Sequence, residues 1–540
     1  MSFRRQPTGG PGNRDSIGAE MYATVFSLVE SPHEPGVLWA GSDDGLMHIT
    51  KDGGATWTPI TPAGMPEWSM ISCIELSPFD AGTAYVAATR YKLDDYRPYL
   101  YKTTDYGQSW SRIDSGIPEH DFTRVIRADP VRKGLLYAGT ETGLYLSTDD
   151  GANWQRFQLN LPVAPVHEIL IKENDLIVGT HGRSIWILDD LTLLHQTLDN
   201  APGAQPQLFA PRPSIRYMPG VDWTDNTPGV NYMGGTGGLF LNGKDADGDA
   251  QRMILDAGTN PPKGAVIGYY LPEKPAEPIL LTFSDAQGGL IRSFSSKPEP
   301  KPLADGEKPK IDKEPKIAAK AGYNRFVWDM RYAPATKIEG NDPPAEMVIE
   351  GPTVPPGRYT ATLTVGAVVQ TATFDVVQMP ETPATPADLQ AQFELSMAIF
   401  RKVDATIIAI NRMRELRGQL DGWAKRAAGT PLAESATALK GRVLEIEKHL
   451  LVPDLRSGWA DNFNNGVRLL DKLHGLISVV ELGDYRPTDV SSDVLAYLSD
   501  AIDTQIARFE TLLTEDLAVF NTQITAAGLG AVTPLAVPTA

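Results

Sequence analysis

The octapeptide TKDGGATW, Thr50–Trp57, returns as TTDYGQSW at Thr103–Trp110 and as STDDGANW at Ser147–Trp154. Ser/Thr-x-Asp-x-Gly-x-x-Trp recurring three times in one chain marks an internal repeat and limits the fold more than any other feature. Each copy follows a similar strand pair, in GVLWAGSDDGLMHIT, GTAYVAATRYKLDDYRPYLYKT and GLLYAGTETGLYLST. A fourth stretch, DLIVGTHGRSIWILDD, keeps the strands without the Gly and Trp of the turn. Upstream of each lies an apolar alternation: YATVFSLVES, MISCIELSP, FTRVIRADP and VHEILIKEN. The unit is four short strands joined by tight turns, which is the form of a β-propeller blade.

Within the octapeptide, Asp52, Asp105 and Asp149 are suited to accept hydrogen bonds from backbone N–H groups in an Asx-type turn. Gly54, Gly107 and Gly151 permit the positive φ such a turn needs. Trp57, Trp110 and Trp154 then open the outer strand and pack between blades. These nine residues are scaffold, because a residue repeated in every blade is not specific to one site.

The octapeptide resembles the Asp-box of the sialidase, sortilin and xyloglucan-degrading glycosidase propellers. WAGSDDGLMHITKDGGATW, PEWSMISCIE, AGTETGLYLSTDDGANW and GTHGRSIWILDD, with the strand-rich and helical stretches downstream, resemble the bacterial BNR-repeat or sortilin-like glycosyl hydrolases. The resemblance implies a periplasmic or extracellular protein and covers the C-terminal part of such chains, whose members carry more repeats ahead of it. The sialidase arginine triad and tyrosine–glutamate nucleophile have no counterpart here, so sialidase activity is not implied.

Lys and Arg total 49 against 67 Asp and Glu, a net charge of −18, which excludes nucleic acid and an anionic membrane as broad electrostatic partners. Neutral, cationic or sugar-like ligands fit better. The single cysteine, Cys73, excludes an internal disulfide framework and a cysteine-built zinc site; in MISCIEL it reads as a buried small hydrophobe. No apolar run is long enough for a membrane span, and the arginines of MSFRRQPTGG precede no apolar segment, so the chain as given shows no signal peptide. Ser-His-Asp, phosphate-binding glycine and zinc-spaced histidine signatures are missing, and no cofactor is expected.

In a four-stranded blade, the turn after the third strand lies on the same side as the turn after the first. Variable residues are therefore sought on the opposite rim. The second-to-third hairpins there hold Asp43 and Asp44, Glu141, and His181 with Arg183; the longest, TRYKLDDYRPY, adds Arg90, Asp94, Asp95, Tyr96 and Arg97. The links between blades add Trp68, His120 and His167. Carboxylates, guanidiniums, imidazoles and aromatics together suit saccharide recognition by hydrogen bonding and ring stacking. Asp43-Asp44-Gly45 equally suits a plain hairpin turn, and His167 a hydrogen-bonded core position. Glycoside hydrolysis would need two carboxylates facing each other across a cleft; Asp43 or Asp44 with Asp94 or Asp95 is the candidate catalytic pairing. Ligand contacts then fall to Trp68, Arg90, Arg97, His120, Glu141, His167, His181 and Arg183.

The whole reads as a multidomain chain, mainly β and then α. Residues 1–20 are a loop or disordered, and 21–191 form an incomplete Asp-box β-propeller of three full blades and a partial fourth. Residues 192–258 make an irregular connection in which Asp245, Asp247 and Asp249 alternate as in a calcium loop but with Gly248 misplaced, which favours a plain acidic turn over a metal site. Alternating strands from GAVIGYYL to TATFDVV make 259–378 an immunoglobulin-like sandwich, interrupted by a mobile Pro/Lys/Glu loop at 297–320. Thr385 as cap, Pro386 in the first turn and Asp388 after it open a helical region, 385–527, expected as an antiparallel four-helix bundle before a disordered tail at 528–540. Two functions are open: carbohydrate recognition or hydrolysis at the rim, or a sortilin-like peptide-binding or assembly scaffold. Either way, another chain or subunit is a candidate to complete the propeller.

Overall fold

The computed structural model describes residues 23–216, 229–233, 238–244, 250–255, 258, 261–296, 315–340, 343–453 and 466–527. It divides into two compact units, Met1–Ala201 and Pro202–Ala540. The acidic triplet Asp245, Asp247 and Asp249, most of the 297–320 loop and both expected disordered ends lie outside the described residues.

The first unit is a row of antiparallel meanders that follow the repeat. The first holds β1 (Val25–Glu30), β2 (Leu38–Ser42), β3 (Met47–Thr50) and β4 (Thr58–Pro59); the second β5 (Met70–Leu76), β6 (Ala84–Arg90), β7 (Asp95–Thr103) and β8 (Ser111–Arg112). The third holds β9 (Thr123–Ala128), β10 (Leu136–Thr140), β11 (Leu144–Ser147) and β12 (Gln155–Arg156); the fourth has three strands, β13 (Val166–Lys172), β14 (Asp175–Thr180) and β15 (Ile185–Leu188). The first strand of each sheet lies beside the first strand of the next, β1 by β5, β5 by β9 and β9 by β13, as inner strands of successive blades do.

The octapeptides fold alike. Asp52 accepts from Thr56 N (2.8 Å), Thr56 Oγ1 (2.5 Å) and Thr50 Oγ1 (2.7 Å), while Gly54 N donates to Thr50 Oγ1. Asp105 does the same with Ser109 and Thr103, and Asp149 with Asn153 and Ser147. The turns rest on the first turn of their own sheet: Gly53 N donates to Gly36 O, Tyr106 N to Gly82 O and Asp150 N to Gly134 O. They therefore lie opposite the second-to-third hairpins. Trp110 Nε1 donates to Ile60 O (2.8 Å) and Trp154 Nε1 to Ile113 O (2.5 Å), each clamping its sheet to the preceding one.

Packing between sheets turns on small residues in the second strand. A Cβ at Gly41 would lie 2.4 Å from Ile71 Cγ2, and one at Gly139 would lie 2.6 Å from both Val125 and Val166 Cγ1. Only glycine lets the next inner strand close to that distance. Cys73 is buried in the same core, and burial pushes its thiol up to about 11, so it is inert packing.

Residues 192–258, read as an irregular connection, carry more structure than that. A helix, α1 (Thr192–Asp199), follows β15 in the first unit and buries His195 with Nε2 2.8 Å from Asp129 Oδ2. In the second unit, β18 (Gly229–Met233), β19 (Gly238–Lys244) and β20 (Ala250–Ile254) form a three-stranded sheet that their Gly- and Asn-rich sequence conceals.

The second unit also has two sheets sharing one core. One orders β16 (Gln207–Leu208), β21 (Ala265–Leu271) and β24 (Gly322–Trp328). The other orders β17 (Ser214–Arg216), β26 (Val368–Gln378), β25 (Gly357–Val365), β22 (Leu280–Asp285) and β23 (Leu290–Ser295). Phe283 stacks on Trp328 across them at 4.3 Å. A helical region follows: α2 (Pro386–Arg426), α3 (Pro431–Leu450), α4 (Leu469–Val480), α5 (Asp489–Thr514) and α6 (Asp516–Ala526). Thr385 and Asp388 form the expected capping box on α2. Where four helices are expected over 385–527, five stand among the described residues, the last two parted at Glu515. Buried Arg216 ties the sheets to the helices through Asp484 and Gln392.

Gly139→Ala is expected to destabilise the first unit by ~1–3 kcal/mol in denaturant melts. Gly179→Ala, the same position in the fourth sheet, meets nothing closer than Glu168 Cβ at 3.5 Å and should cost far less. Acid should also loosen this unit. Bonds from Thr56 and Ser109 hold the Asp52 and Asp105 carboxyls at about 2, below their ordinary 3.8. Their contribution is complete above about pH 4 and lost as pH falls through 2, which circular dichroism on acid titration will read.

Candidate functional site

Each first strand is irregular at one place. The register shifts between Val25 and Ser27, between Ile71 and Cys73, between Thr123 and Val125, and between Val166 and Glu168. A bulge re-aims the extra side chain, here Phe26, Ser72, Arg124 and His167. The residue opening the second-to-third hairpin comes alongside: Asp43 N donates to Thr24 O (3.1 Å), Glu141 N to Phe122 O (3.1 Å) and His181 N to Pro165 O (2.9 Å). Bulge and hairpin residues therefore meet as pairs. Arg124 donates from Nε (2.8 Å) and Nη2 (2.5 Å) to Glu141 Oε2, and the His167 and His181 rings stand 5.2 Å apart.

The longer hairpin of the second sheet extends this row. Its 3-10 turn, Tyr91–Leu93, is closed by Asp94 in the left-handed conformation (φ 55°). Tyr91 stacks on Phe122 at 5.1 Å, Tyr96 tilts against Phe122 at 6.0 Å, and the Arg124 guanidinium lies over both Phe122 and Tyr91. Beside them opens a depression of about 640 Å³ lined by Asp94, Asp95, Tyr96, Arg97, Glu119 and His120. The aromatic ribbon and the depression share Tyr96.

Asp95 is the fixed point of the depression. It accepts from Arg97 Nε and Nη2 (both 2.9 Å), Arg90 Nη1 (2.8 Å) and Tyr99 OH (2.8 Å). The Arg97 bonds above all, with Tyr99, hold its carboxyl far below the usual carboxylate range against the opposing effect of burial. His167 is pushed the other way from a cation: burial first, then Arg124 and His181, lower it below 6.5 and keep the imidazole neutral at pH 7.

Of the residues singled out from sequence, Asp94, Asp95, Arg97 and His120 meet in the depression, with Arg90 behind Asp95. Glu141, His167 and His181 meet in the pairs beside it. Asp43 and Asp44 are not part of the depression's lining. Asp43 accepts from Thr24 N (2.9 Å), and burial raises its carboxyl; Asp44 is buried and takes the Ser42 hydroxyl. Trp68 is half-buried with φ 64° next to Ser69, whose carbonyl fills the space over Gly45. Exposed Arg183 bonds only its neighbour's carbonyl among the described residues, and its own carbonyl takes Trp186 Nε1 (2.7 Å).

Sequence reasoning passed over Arg124, Tyr91 and Phe122. Arg124 occupies the repeat position of His167, one residue after the start of the strand, and that polar coincidence was the available signal. Among the described residues, no group of three or more His, Cys, Asp or Glu is placed to hold a metal, and no helix is long and apolar enough to cross a membrane.

No family model matches the chain. Over 147 residues it is 27% identical to the xyloglucanase Xgh74A of Acetivibrio thermocellus, covering 23% of this chain and 17% of that enzyme. It is 25% identical over 144 residues to a xyloglucanase of a Paenibacillus species, covering 23% of this chain and 14% of the relative. The chain thus spans well under two thirds of these relatives' length. Among solved structures, it is similar to the GH74 xyloglucanase from Xanthomonas campestris (TM-score 0.25, 14% identity, 66% of this chain and 45% of that one). It is also similar to YCF48 from Cyanidioschyzon merolae (TM-score 0.24, 16% identity, 46% and 67%).

Arg124→Gln should move the His167 imidazole titration upward, because it removes a nearby positive charge and leaves Glu141, which favours protonation. Histidine NMR titration checks the direction.

Proposed function

We propose that the rim of the second to fourth sheets recognises a saccharide, with recognition rather than hydrolysis as its main task. In this reading the octapeptides are Asp-boxes, the row is an arc of a β-propeller, and the protein works outside the cytoplasm. The paired sheets serve as an immunoglobulin-like accessory module beside a helical bundle.

The observation that carries the proposal is the state of Asp95. A carboxylate bonded by two arginines and a tyrosine stays ionised and cannot donate a proton as a general acid, but it fixes Arg97 beside Tyr96. Tyr96 is half-exposed and offers a ring face, while Arg97, His120, Asp94 and Glu119 offer hydrogen bonds around it. That combination suits a neutral sugar better than a polyanion, given the chain's net charge of −18. The partial likeness to xyloglucanases makes xyloglucan the first ligand to test.

In affinity electrophoresis the chain should be retarded by xyloglucan. Tyr96→Ala should weaken retention about tenfold, on the order of 1.4 kcal/mol, in line with loss of one stacking face. Reducing-sugar release abolished by Asp94→Asn or Glu119→Gln would instead make the depression a hydrolytic site, with those two carboxylates as its acid pair.

A further inference from the structure

The bulge and hairpin residues that form an ion pair in the third sheet, Arg124 and Glu141, are both imidazoles in the fourth, His167 and His181. His167 is the extra residue of the β13 bulge, between Val166 opposite Thr180 and Glu168 opposite Gly179. His181 directly follows β14, and its N–H donates to Pro165 O (2.9 Å). The hairpin beyond it is closed by Thr180, whose N (3.2 Å) and Oγ1 (2.5 Å) both donate to Ser184 O, and by Trp186 Nε1, which donates to Arg183 O (2.7 Å). Backbone contacts therefore fix where both side chains start before any ligand arrives.

The two rings stand 5.2 Å apart, tilted by 47°, and both residues are exposed. A divalent ion about 2.0–2.1 Å from one nitrogen of each ring, at a near-tetrahedral angle, puts the ring centres roughly 5 Å apart. The pair has that spacing. Its nitrogens are also uncommitted: neither ring hydrogen-bonds a described residue, whereas His33 Nε2 is spent on Ser77 O (3.0 Å) and His195 Nε2 on Asp129 Oδ2 (2.8 Å). The nearby cation Arg124 has its charge met by Glu141, at 2.8 and 2.5 Å, and the chain's net charge of −18 favours a cation at the rim.

We propose that His167 and His181 together bind a divalent transition-metal ion of the zinc, nickel or copper class. Imidazole selects these ions over calcium and magnesium, which take oxygen donors. Two protein ligands are one fewer than open zinc sites ordinarily use, so the ion is held exchangeably and its remaining positions are left to water or to an oxygen donor of a ligand. Neither histidine lines the depression around Asp95, so the site does not depend on what the depression binds.

Copper(II), the tightest binder of the series, is the probe. Pulsed EPR of the full chain with less than one equivalent of Cu²⁺ should show two imidazoles coupled to the ion, a count that needs no variant. His167→Ala and His181→Ala should each weaken Cu²⁺ binding at least about tenfold in titration calorimetry, since loss of an outer partner alone costs that much. Both side chains are exposed, so the variants should keep the native thermal midpoint. His449→Ala, which removes an exposed histidine of α3, should leave Cu²⁺ affinity unchanged. Coupling to a single imidazole, or Cu²⁺ affinity that survives either rim substitution, would overturn the proposal. So would an equal loss with His449→Ala, which would make the binding adventitious.

Discussion

The contact on which the first unit depends is an aliphatic side chain seated on a bare backbone: Ile71 over Gly41, Val166 over Gly139. Each fully buried aliphatic contributes roughly 1.5–3 kcal/mol, whereas the octapeptide bonds form at the solvent-exposed edge and are worth less apiece. The glycine sets the spacing, the aliphatic supplies the energy, and the tryptophan clamp fixes the angle at the far end. Everything on the rim inherits its position from this spacing, since the bulge that aims Arg124 and His167 begins at the same residues, Thr123 and Val166, that seat in the junction.

This coupling explains why scaffold and site share a repeat yet differ in chemistry. The bulge and the hairpin opening are fixed in place by conserved geometry, with the same N–H to carbonyl contact in three sheets, but their side chains face solvent and are free to vary. One sheet places an ion pair there, the next a pair of imidazoles, and the longer hairpin of the second sheet turns the row into a depression beside a stacked tyrosine and phenylalanine. Asp95 then immobilises Arg97, so the depression is pre-shaped rather than assembled on binding.

Much of this was legible in sequence wherever a period or a fixed offset carried it. The octapeptide located the turns, and with them the rim; Thr385 and Asp388 announced the start of α2. What periodicity does not encode was missed. A bulge is a property of pairing register, so Arg124 looked like an ordinary strand residue in TRVIRA. Helix α1 buries His195 and, in part, Leu194 and Leu198, with Leu191 buried just ahead of it, but a polar histidine in that stripe hid it. Asp43 and Asp44 looked like Asp94 and Asp95 on paper, and only backbone geometry shows that they serve their own hairpin.

The most direct test of the division between rim and scaffold is hydrogen–deuterium exchange with and without xyloglucan oligosaccharides. Protection should be confined to residues 91–97, 119–124, 141–143, 166–168 and 181–183. Protection confined instead to the octapeptide turns, 50–57, 103–110 and 147–154, would contradict the account.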